Sequence, residues 1–269
     1  MVIILCLIVI LAGLYVCSVI GRTRHVGLSE LRKWSYAHRG LHGDGAPENS
    51  MEAFQRAKTA GYGIELDIHL LADGNLAVIH DASLKRTTGS EGYVEDLTTD
   101  QLKDYHLEGT MQTIPEFSQV LELFAGQAPL IVELKCERNN YAALCDAACK
   151  LLDSYHGPYC MESFDPRCIY WLRKNRPEIS RGQLTENYFA SANSKLPWIL
   201  KFALRHQMFN FLTRPDFVAY KYRDRKTISN ILCRKLWKLQ GVSWTLKTQE
   251  EYDTAVSEGW IPIFEGFTP

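Results

Sequence analysis

The sequence lacks a pronounced excess of charge of either sign, because its 269 residues include 30 Lys and Arg against 31 Asp and Glu. A nearly neutral chain is not typical of a dedicated nucleic-acid-binding protein, whose basic surface contacts phosphates. A hydrophobic share of 46% is also too high for an intrinsically disordered chain. The composition therefore indicates a globular protein, and no nucleic acid is expected among its partners.

Cysteine patterns that would indicate a metal or a redox pair are also missing. The eight cysteines form neither a CxxC pair nor a Cys/His cluster with zinc spacing, and Cys145 and Cys149 only share one face of a predicted helix. Internal repeats and low-complexity tracts do not occur. We therefore expect reduced thiols with a structural role in one large domain.

Apolar residues are concentrated at the amino terminus, where 18 of the first 20 residues are hydrophobic. About 20 apolar residues in a helix reach about 30 Å, the thickness of the hydrocarbon core of a bilayer. We therefore expect residues 1–22 to be a transmembrane anchor of a single-pass membrane protein.

Basic residues follow this segment and none precede it, which favours a cytoplasmic position for the rest of the chain. They are Arg22, Arg24, Arg32 and Lys33. An export signal, which would place the rest on the extracytoplasmic side, is the alternative, although it normally begins with basic residues.

Residues 23–269 alternate short apolar runs with helical patterns, which is typical of parallel strands joined by helices. Nine strands are predicted, at 35–38, 63–68, 76–80, 130–134, 159–163, 180–184, 217–220, 241–246 and 261–264. Helices are predicted at 50–60, 141–155, 166–175, 196–212, 227–239 and 249–258, with Asn49 as the cap of the first. Nine strands are close to eight plus a hairpin, and about 250 residues suit a TIM (β/α)8 barrel.

Two irregularities interrupt this pattern. The polar segment 84–113, with Gly89, Gly92 and Gly109, is interpreted as an insertion after an early strand. The last predicted strand is followed by only five residues, so we expect an incomplete last βα unit.

Charged residues lie near the carboxyl ends of two predicted strands. Glu65 and Asp67 alternate with apolar residues on one strand, and Glu133 and Lys135 repeat this spacing on a later one. Residues two apart on a strand share a face, and barrels keep their active sites at the carboxyl ends of their strands. Three converging carboxylates repel one another unless a cation lies among them, and oxygen ligands suit Ca²⁺ or Mg²⁺. We therefore predict that Glu65, Asp67 and Glu133 surround one divalent ion.

Two histidines also lie at the ends of predicted strands. His38 and His80 are candidates for general acid and base, since imidazole titrates near neutral pH; hydrogen-bonded loop histidines are the alternative. Arg39 and Lys135 would supply positive charge for an anionic substrate.

Five short motifs follow one another along the chain. They are His38-Arg-Gly40, Pro47-Glu-Asn-Ser50, Glu65-Leu-Asp67, His80-Asp81 and Glu133-Leu-Lys135. In this order they resemble the glycerophosphodiester phosphodiesterase family, over about residues 34–267. That family has a TIM barrel with a small insertion after the second barrel strand, which segment 84–113 matches.

The resemblance implies roles for seven residues. The metal ligands would be Glu65, Asp67 and Glu133, the general acid and base would be His38 and His80, and the phosphate would be held by Arg39 and Lys135.

Two further residues are implied less directly. Trp244 would form the floor of the pocket against the glycerol carbons, with ordinary barrel packing as the alternative. Glu48 would orient Arg39 or the metal ligands, with a helix-start acid as the alternative. Many family members carry an Asp-x-Pro sequence near the end, whereas this chain has Phe264-Glu-Gly.

These features together predict a membrane-anchored, metal-dependent phosphodiesterase that converts glycerophosphodiesters to glycerol 3-phosphate and an alcohol. A lysophospholipase D acting on membrane lysolipids is the enzymatic alternative. A catalytically silent module that binds glycerophosphodiesters is the other, although a binding module needs no pair of histidines. The nucleophile, either a glycerol hydroxyl or water, and the preferred head group stay open.

Segment 195–238 is markedly basic, with 11 Lys and Arg against Asp216 and Asp224. Its helix at 196–212 is interpreted either as an amphipathic helix on an anionic membrane or as an outer barrel helix with a solvated basic face.

Overall fold

The computed structural model of the chain describes residues 1–22, 27–190 and 196–269. Arg24 of the basic flank and Lys195 at the start of the basic segment lie outside the described residues.

Eight parallel strands form a closed barrel, and a ninth, antiparallel strand extends one of them. The strands are β1 (Tyr36–His38), β2 (Gly63–Leu70), β3 (Leu76–Val78), β4 (Leu130–Leu134), β5 (Tyr159–Ser163), β6 (Arg181–Thr185), β7 (Phe217–Lys221), β8 (Gln240–Leu246) and β9 (Trp260–Phe264). The order β1-β9-β8-β7-β6-β5-β4-β2 is closed by pairing of β1 with β2, and β3 is antiparallel to β2. The predicted TIM barrel, including the hairpin strand, is thus confirmed.

Eleven α-helices within the described residues accompany the strands. They are α1 (Val2–Ser18), α2 (Leu28–Leu31), α3 (Met51–Thr59), α4 (Lys85–Thr88), α5 (Phe117–Phe124), α6 (Tyr141–Leu152), α7 (Pro166–Asn175), α8 (Trp198–Arg205), α9 (Asn210–Thr213), α10 (Ile228–Ile231) and α11 (Gln249–Ser257). The cap of α3 is Ser50, whose hydroxyl accepts a hydrogen bond from the amide of Ala53, and not the predicted Asn49.

Two predicted helices are divided. The helix expected at 196–212 is interrupted between α8 and α9, because Gln207 adopts a positive φ of 56° and its buried side chain donates to Asn230 Oδ1 at 2.8 Å. The helix expected at 227–239 continues from α10 as a π-helix over Leu232–Leu236.

Two apolar layers follow from the alternation along the strands. Outward-facing residues such as Ile64, Leu66 and Val132 pack under the helices. An inner cluster inside the barrel includes Tyr36 and Phe217, and α2 adds Leu28 and Leu31 to it. The carboxyl ends of the strands are left for polar side chains.

Segment 84–113 contains α4 and three short 3-10 helices, at Val94–Asp96, Thr99–Asp104 and Leu107–Gly109. It has a small apolar core of its own, which includes Leu84, Val94 and Leu102 together with Ala77 and Ile79. This segment follows β3, so it lies beside the end of β2.

No helix follows β9 within residues 265–269. Phe267 packs edge-on against Phe264, with their ring centroids 5.8 Å apart, and also against Tyr252 of α11. Residues 265–269 therefore cover this side of the barrel without forming a helix.

The predicted transmembrane anchor is wrong. Among the described residues, every helix is too short or too polar to cross a bilayer. The apolar run is only partly helical, because α1 ends at Ser18, while Val19 is fully buried in a cluster with Val218 and Cys233. The 17 residues of α1 reach about 26 Å, less than the hydrocarbon core of about 30 Å. The predicted localisation as a single-pass membrane protein is therefore wrong as well. The predicted orientation depended on this anchor and on the basic residues Arg22, Arg24, Arg32 and Lys33.

Candidate active site

Three carboxylates meet at the carboxyl end of the barrel. Asp67 of β2 lies directly beside Glu133 of β4 in the sheet register, and Glu65 precedes Asp67 on the same face. All three are buried, and one oxygen of each lies within 4.8 Å of the other two. The side chains that the sequence placed around one ion are therefore brought together.

Two cations lie against these acids. Lys135 Nζ is 3.0 Å from Asp67 Oδ1 and 2.7 Å from Glu133 Oε1. Arg39 Nε is 3.3 Å from Asp67 Oδ2. Asn49, free from the predicted capping role, donates from Nδ2 to Asp67 Oδ2 at 2.9 Å. Asp67 is thus the centre of the cluster.

The backbone between β1 and α3 brings Arg39 to this position. Arg39 has a positive φ of 55°, and its amide donates to Glu65 Oε2 at 3.2 Å. Gly40 follows with a φ of 82°, and a Cβ at this position would lie 2.8 Å from the backbone of Ala53 in α3. Only glycine fits there, because a side chain would clash with the helix as well as strain the backbone.

The acids differ in how readily they ionise. Burial raises the pKa of Glu65 well above its ordinary value, and the charges of Asp67 and Glu133 raise it further. Burial also raises the pKa of Glu133 to about 7, against the opposing effect of Lys135. Burial opposes ionisation of Asp67 as well, but Lys135 and Arg39 hold its pKa well below the ordinary value. Of the three acids, Asp67 is therefore the one that its neighbours hold firmly ionised.

Each candidate acid/base histidine has a carboxylate partner. His38 Nδ1 lies 2.6 Å from Glu265 Oε2, and His80 Nδ1 lies 2.5 Å from Asp81 Oδ1. An ionised carboxylate only accepts hydrogen bonds, so each Nδ1 carries the proton and each Nε2 is the acceptor of a neutral ring. Burial lowers the pKa of both His38 and His80, which favours the neutral form.

Glu48 ties two arginines together at the edge of the site. It accepts from Arg39 Nη1 at 2.9 Å and from Arg86 Nη2 at 2.6 Å. Arg86, at the start of the insertion, also lies 2.5 Å from Asp81, the partner of His80. Glu48 therefore contacts Arg39, as one of its two predicted roles requires.

A cavity of about 350 Å³ opens above the acids and is lined by His38, His80, Lys135, Phe164 and Trp244, among others. Trp244 is half-buried and contacts Phe164 edge-on, with their ring centroids 5.7 Å apart. The indole thus forms part of the cavity wall as well as of the barrel packing.

Three acids of this region have roles that were not predicted from the sequence. Glu265, the partner of His38, follows β9, and Asp81 follows His80 directly. Glu162 of β5 lies beside Glu133 in the sheet, and burial raises its pKa well above the ordinary value. All three lie at or just beyond the carboxyl ends of strands, where barrels keep their active sites. This position could have identified them from the sequence.

A second group of potential ligands includes one of these missed acids. Donor atoms of His38, His42 and Glu265 lie within 4.8 Å of one another.

Residues 38–264 match the model of the glycerophosphoryl diester phosphodiesterase family. A glycerophosphodiester phosphodiesterase of Bacillus altitudinis is 41% identical over 113 residues, which are 39% of this chain and 46% of the relative. A lysophospholipase D of Rattus norvegicus is 37% identical over 116 residues, 38% of this chain and 36% of the relative. The matched part is thus less than half of each of these two relatives.

Solved structures share the fold. An Oleispira antarctica phosphodiesterase, determined in complex with its product sn-glycerol-3-phosphate, superposes with a TM-score of 0.70 at 21% identity. The superposition covers 86% of this chain and 92% of the other.

Proposed function

Because the chain belongs to the glycerophosphoryl diester phosphodiesterase family, we propose that it is a metal-dependent hydrolase that cleaves glycerophosphodiesters to glycerol 3-phosphate and an alcohol. The observation that carries the proposal is a cluster of three buried carboxylates at the carboxyl end of the barrel, two of which, Glu65 and Glu133, line one cavity with His38 and His80.

The donor set fits a hard divalent cation. Glu65, Asp67 and Glu133 offer buried oxygens within 4.8 Å of one another, the ligand type that Ca²⁺ and Mg²⁺ prefer. Buried carboxylates at this spacing resist ionisation, which the raised pKa values of Glu65 and Glu133 reflect. When bound, such an ion would neutralise negative charge on the phosphate and make a nearby hydroxyl more acidic.

The cations of the chain supply the remaining positive charge. Arg39 and Lys135 line the cavity next to the acids, so they hold the non-bridging phosphate oxygens and stabilise negative charge as it develops. Glu48 and Asp67 fix the guanidinium of Arg39 from two sides, at Nη1 and at Nε.

The two histidines exchange protons with the reacting oxygens. The Nε2 atom of one neutral ring takes the proton of the nucleophile, and the other ring, once protonated, gives a proton to the leaving oxygen. Glu265 and Asp81 hold the opposite nitrogens, so each ring keeps its orientation during the transfer. Attack by water and attack by a glycerol hydroxyl use the same residues.

The test is release of choline or ethanolamine from glycerophosphocholine or glycerophosphoethanolamine, with excess chelator and after adding back Mg²⁺ or Ca²⁺. We expect glycerol 3-phosphate and free alcohol only with the metal. Full turnover in chelator would contradict the metal requirement. Binding of the substrate with either metal but without any turnover would instead support the silent binding module.

A lysophospholipase D activity is the second candidate. Its support is the similarity to the rat lysophospholipase D together with a large apolar cavity beside the site.

A further inference from the structure

The His–His–Glu group, formed by His38, His42 and Glu265, has a donor chemistry unlike that of the acidic cluster. Each residue offers one donor atom, and the three atoms lie within 4.8 Å of one another. Two imidazoles and one carboxylate stand here, whereas three carboxylates are proposed to hold Mg²⁺ or Ca²⁺. The proposed reaction uses His38 and Glu265 but gives no role to His42.

The sheet register brings two of these residues together. Ala37 of β1 lies beside Phe264 of β9, so the residues that follow them, His38 and Glu265, come to lie side by side. His38 Nδ1 is 2.6 Å from Glu265 Oε2. Lys247 Nζ lies 3.1 Å from the other oxygen, Oε1, so the two oxygens of Glu265 have separate partners.

His42 is held in the loop after β1 by hydrogen bonds on both sides. The amide of Leu41 donates to the carbonyl of Ala53 in α3 at 3.0 Å, and Gly43 and Ala46 exchange amide-to-carbonyl bonds of 2.9 and 3.0 Å. His42 Nε2 is buried and has no hydrogen-bond partner within the described part of the chain. A buried polar atom without a partner is costly, and binding a metal ion removes this cost.

The group borders a space other than the substrate cavity. His42 and Glu265 line a cavity of about 400 Å³, whereas His38 lines the proposed active-site cavity. Arg56 also lines the 400 Å³ cavity, but its charge is offset by Glu52, whose Oε1 lies 3.0 Å from Arg56 Nε. A metal ion can therefore approach two of its three ligands from this side, as a metal site requires.

Nitrogen ligands select a metal ion of a different class. Histidine nitrogen with carboxylate oxygen is a common ligand set for Zn²⁺, whereas Mg²⁺ and Ca²⁺ prefer oxygen alone. Tetrahedral zinc, with bonds of about 2.0–2.2 Å, keeps its ligand atoms roughly 3.3 Å apart and leaves a fourth position for water. Small side-chain rotations bring donor atoms that lie within 4.8 Å to this spacing, and the hydrogen bond between His38 and Glu265 is replaced by two bonds to the metal.

We propose that His38, His42 and Glu265 bind a Zn²⁺ ion that inhibits the enzyme. The inhibition rests on the proposed function, whereas the binding of zinc does not. Zinc on Nδ1 of His38 takes the place of a proton, which is released to solvent, and the neutral ring takes up one proton on Nε2. Nε2 then has no lone pair to accept a proton, and a neutral imidazole is a much weaker acid than an imidazolium. His38 is therefore lost to the reaction as base and as acid.

The first test titrates Zn²⁺ by calorimetry into the full chain saturated with Mg²⁺ or Ca²⁺, whichever supports turnover of glycerophosphocholine. We expect one Zn²⁺ per chain and inhibition that a further increase of the activating ion does not relieve, because the two ions occupy different sites. Inhibition that the activating ion relieves would place zinc at the acidic cluster and overturn the proposal.

Matched variants locate the zinc ion. His42→Gln removes one ligand, and His156→Gln makes the same change at an exposed histidine. We expect His42→Gln to keep parental turnover without zinc and to lose at least about 100-fold in zinc affinity, since loss of a mere partner of a metal ligand already costs 10–100-fold. His156→Gln should behave as the parent. Equal zinc affinity in both variants would contradict the proposal.

Anomalous scattering at the zinc edge, from crystals of the parental protein soaked in Zn²⁺ and Mg²⁺, gives a readout that does not depend on the folding of a variant. We expect a zinc peak between His38, His42 and Glu265, and a peak at the acidic cluster alone would overturn the site. Zinc bound at the His–His–Glu group with full turnover would overturn the inhibition. Zinc bound there without turnover even in its absence would support the site and contradict the proposed function.

Discussion

The two histidine–carboxylate pairs of the site differ in their surroundings. His38 is 13% exposed, and its partner Glu265 also lies 3.1 Å from Lys247 Nζ. His80 is 32% exposed, and its partner Asp81 is held by Arg86 of the insertion. One pair is therefore enclosed by the barrel and the other lies at its rim.

The difference in exposure bears on the proposed proton transfers, because it affects how each ring is oriented. The Nε2 atom of the enclosed ring lies 3.8 Å from Glu65, too far for a hydrogen bond. The orientation of this ring therefore depends on the hydrogen bond between its Nδ1 and Glu265. The rim ring is more exposed, and its carboxylate is held by Arg86, which Glu48 also anchors. We expect the enclosed pair to be more sensitive to loss of its carboxylate than the rim pair.

The largest effect should come from a change in the acidic cluster, because Glu133 lines the same cavity as both histidines. Glu133→Gln takes away one carboxylate of the acidic cluster, and we expect turnover of glycerophosphocholine to fall by at least about 10³-fold together with metal affinity. Metal binding by calorimetry and turnover are measured on the same samples. The exposed Glu122→Gln is the control. Parental turnover in Glu133→Gln would refute the metal-ligand assignment.

Removing either ring should cost less. His38→Asn and His80→Asn are each expected to lower kcat by about 10²–10⁴-fold, the usual contribution of general acid–base catalysis, while metal is still bound. The exposed His156→Asn should be silent. Normal kcat at neutral pH in either variant would remove that residue from the mechanism.

Removing the partner carboxylates tests the comparison most directly. We expect Glu265→Gln to lower kcat by roughly 10–100-fold and Asp81→Asn by less. The charge of Glu265 and its hydrogen bond favour the imidazolium of His38. Without that charge the pKa of His38 falls further, and the limb of the pH–kcat profile that reports His38 moves to lower pH.

This shift should be missing from Asp81→Asn. Equal losses of kcat in the two carboxylate variants, with identical pH profiles, would show that the two pairs are equivalent.

The smallest effect is expected at Trp244, whose ring packs edge-on against Phe164 in the cavity wall. Trp244→Ala should raise KM for glycerophosphocholine a fewfold with little change in kcat, because it removes only an apolar wall of the cavity. Trp244→Phe should restore most of the affinity, and the exposed Trp198→Ala is the control. An unchanged KM would leave Trp244 with a packing role only.

Alternation along single strands made much of this arrangement predictable. Glu65 and Asp67 face inward because Ile64 and Leu66 face the helices, and this pattern is local to β2. The barrel itself followed from the succession of strands and helices. These features depend on neighbours in the sequence.

Features that depend on distant contacts were not predictable in the same way. The partnership of Glu265 with His38 joins residues 227 positions apart and exists only after β9 pairs with β1. The break after α8 depends on the buried contact of Gln207 with Asn230. The transmembrane prediction failed for the same reason. Val19 belongs to the apolar run but is buried beside Val218 and Cys233, and this long-range contact is not visible in the local sequence.

The position of Glu265 has a consequence for synthesis of the protein. All three acids of the cluster and both histidines leave the ribosome long before the carboxylate that orients His38, since chains are made from the amino terminus. A nascent chain thus holds Glu65, Asp67 and Glu133 without the last strand that closes the barrel. Closure of β9 against β1 completes the barrel and brings Glu265 to His38 in one event, so the proposed activity is expected only from the finished fold.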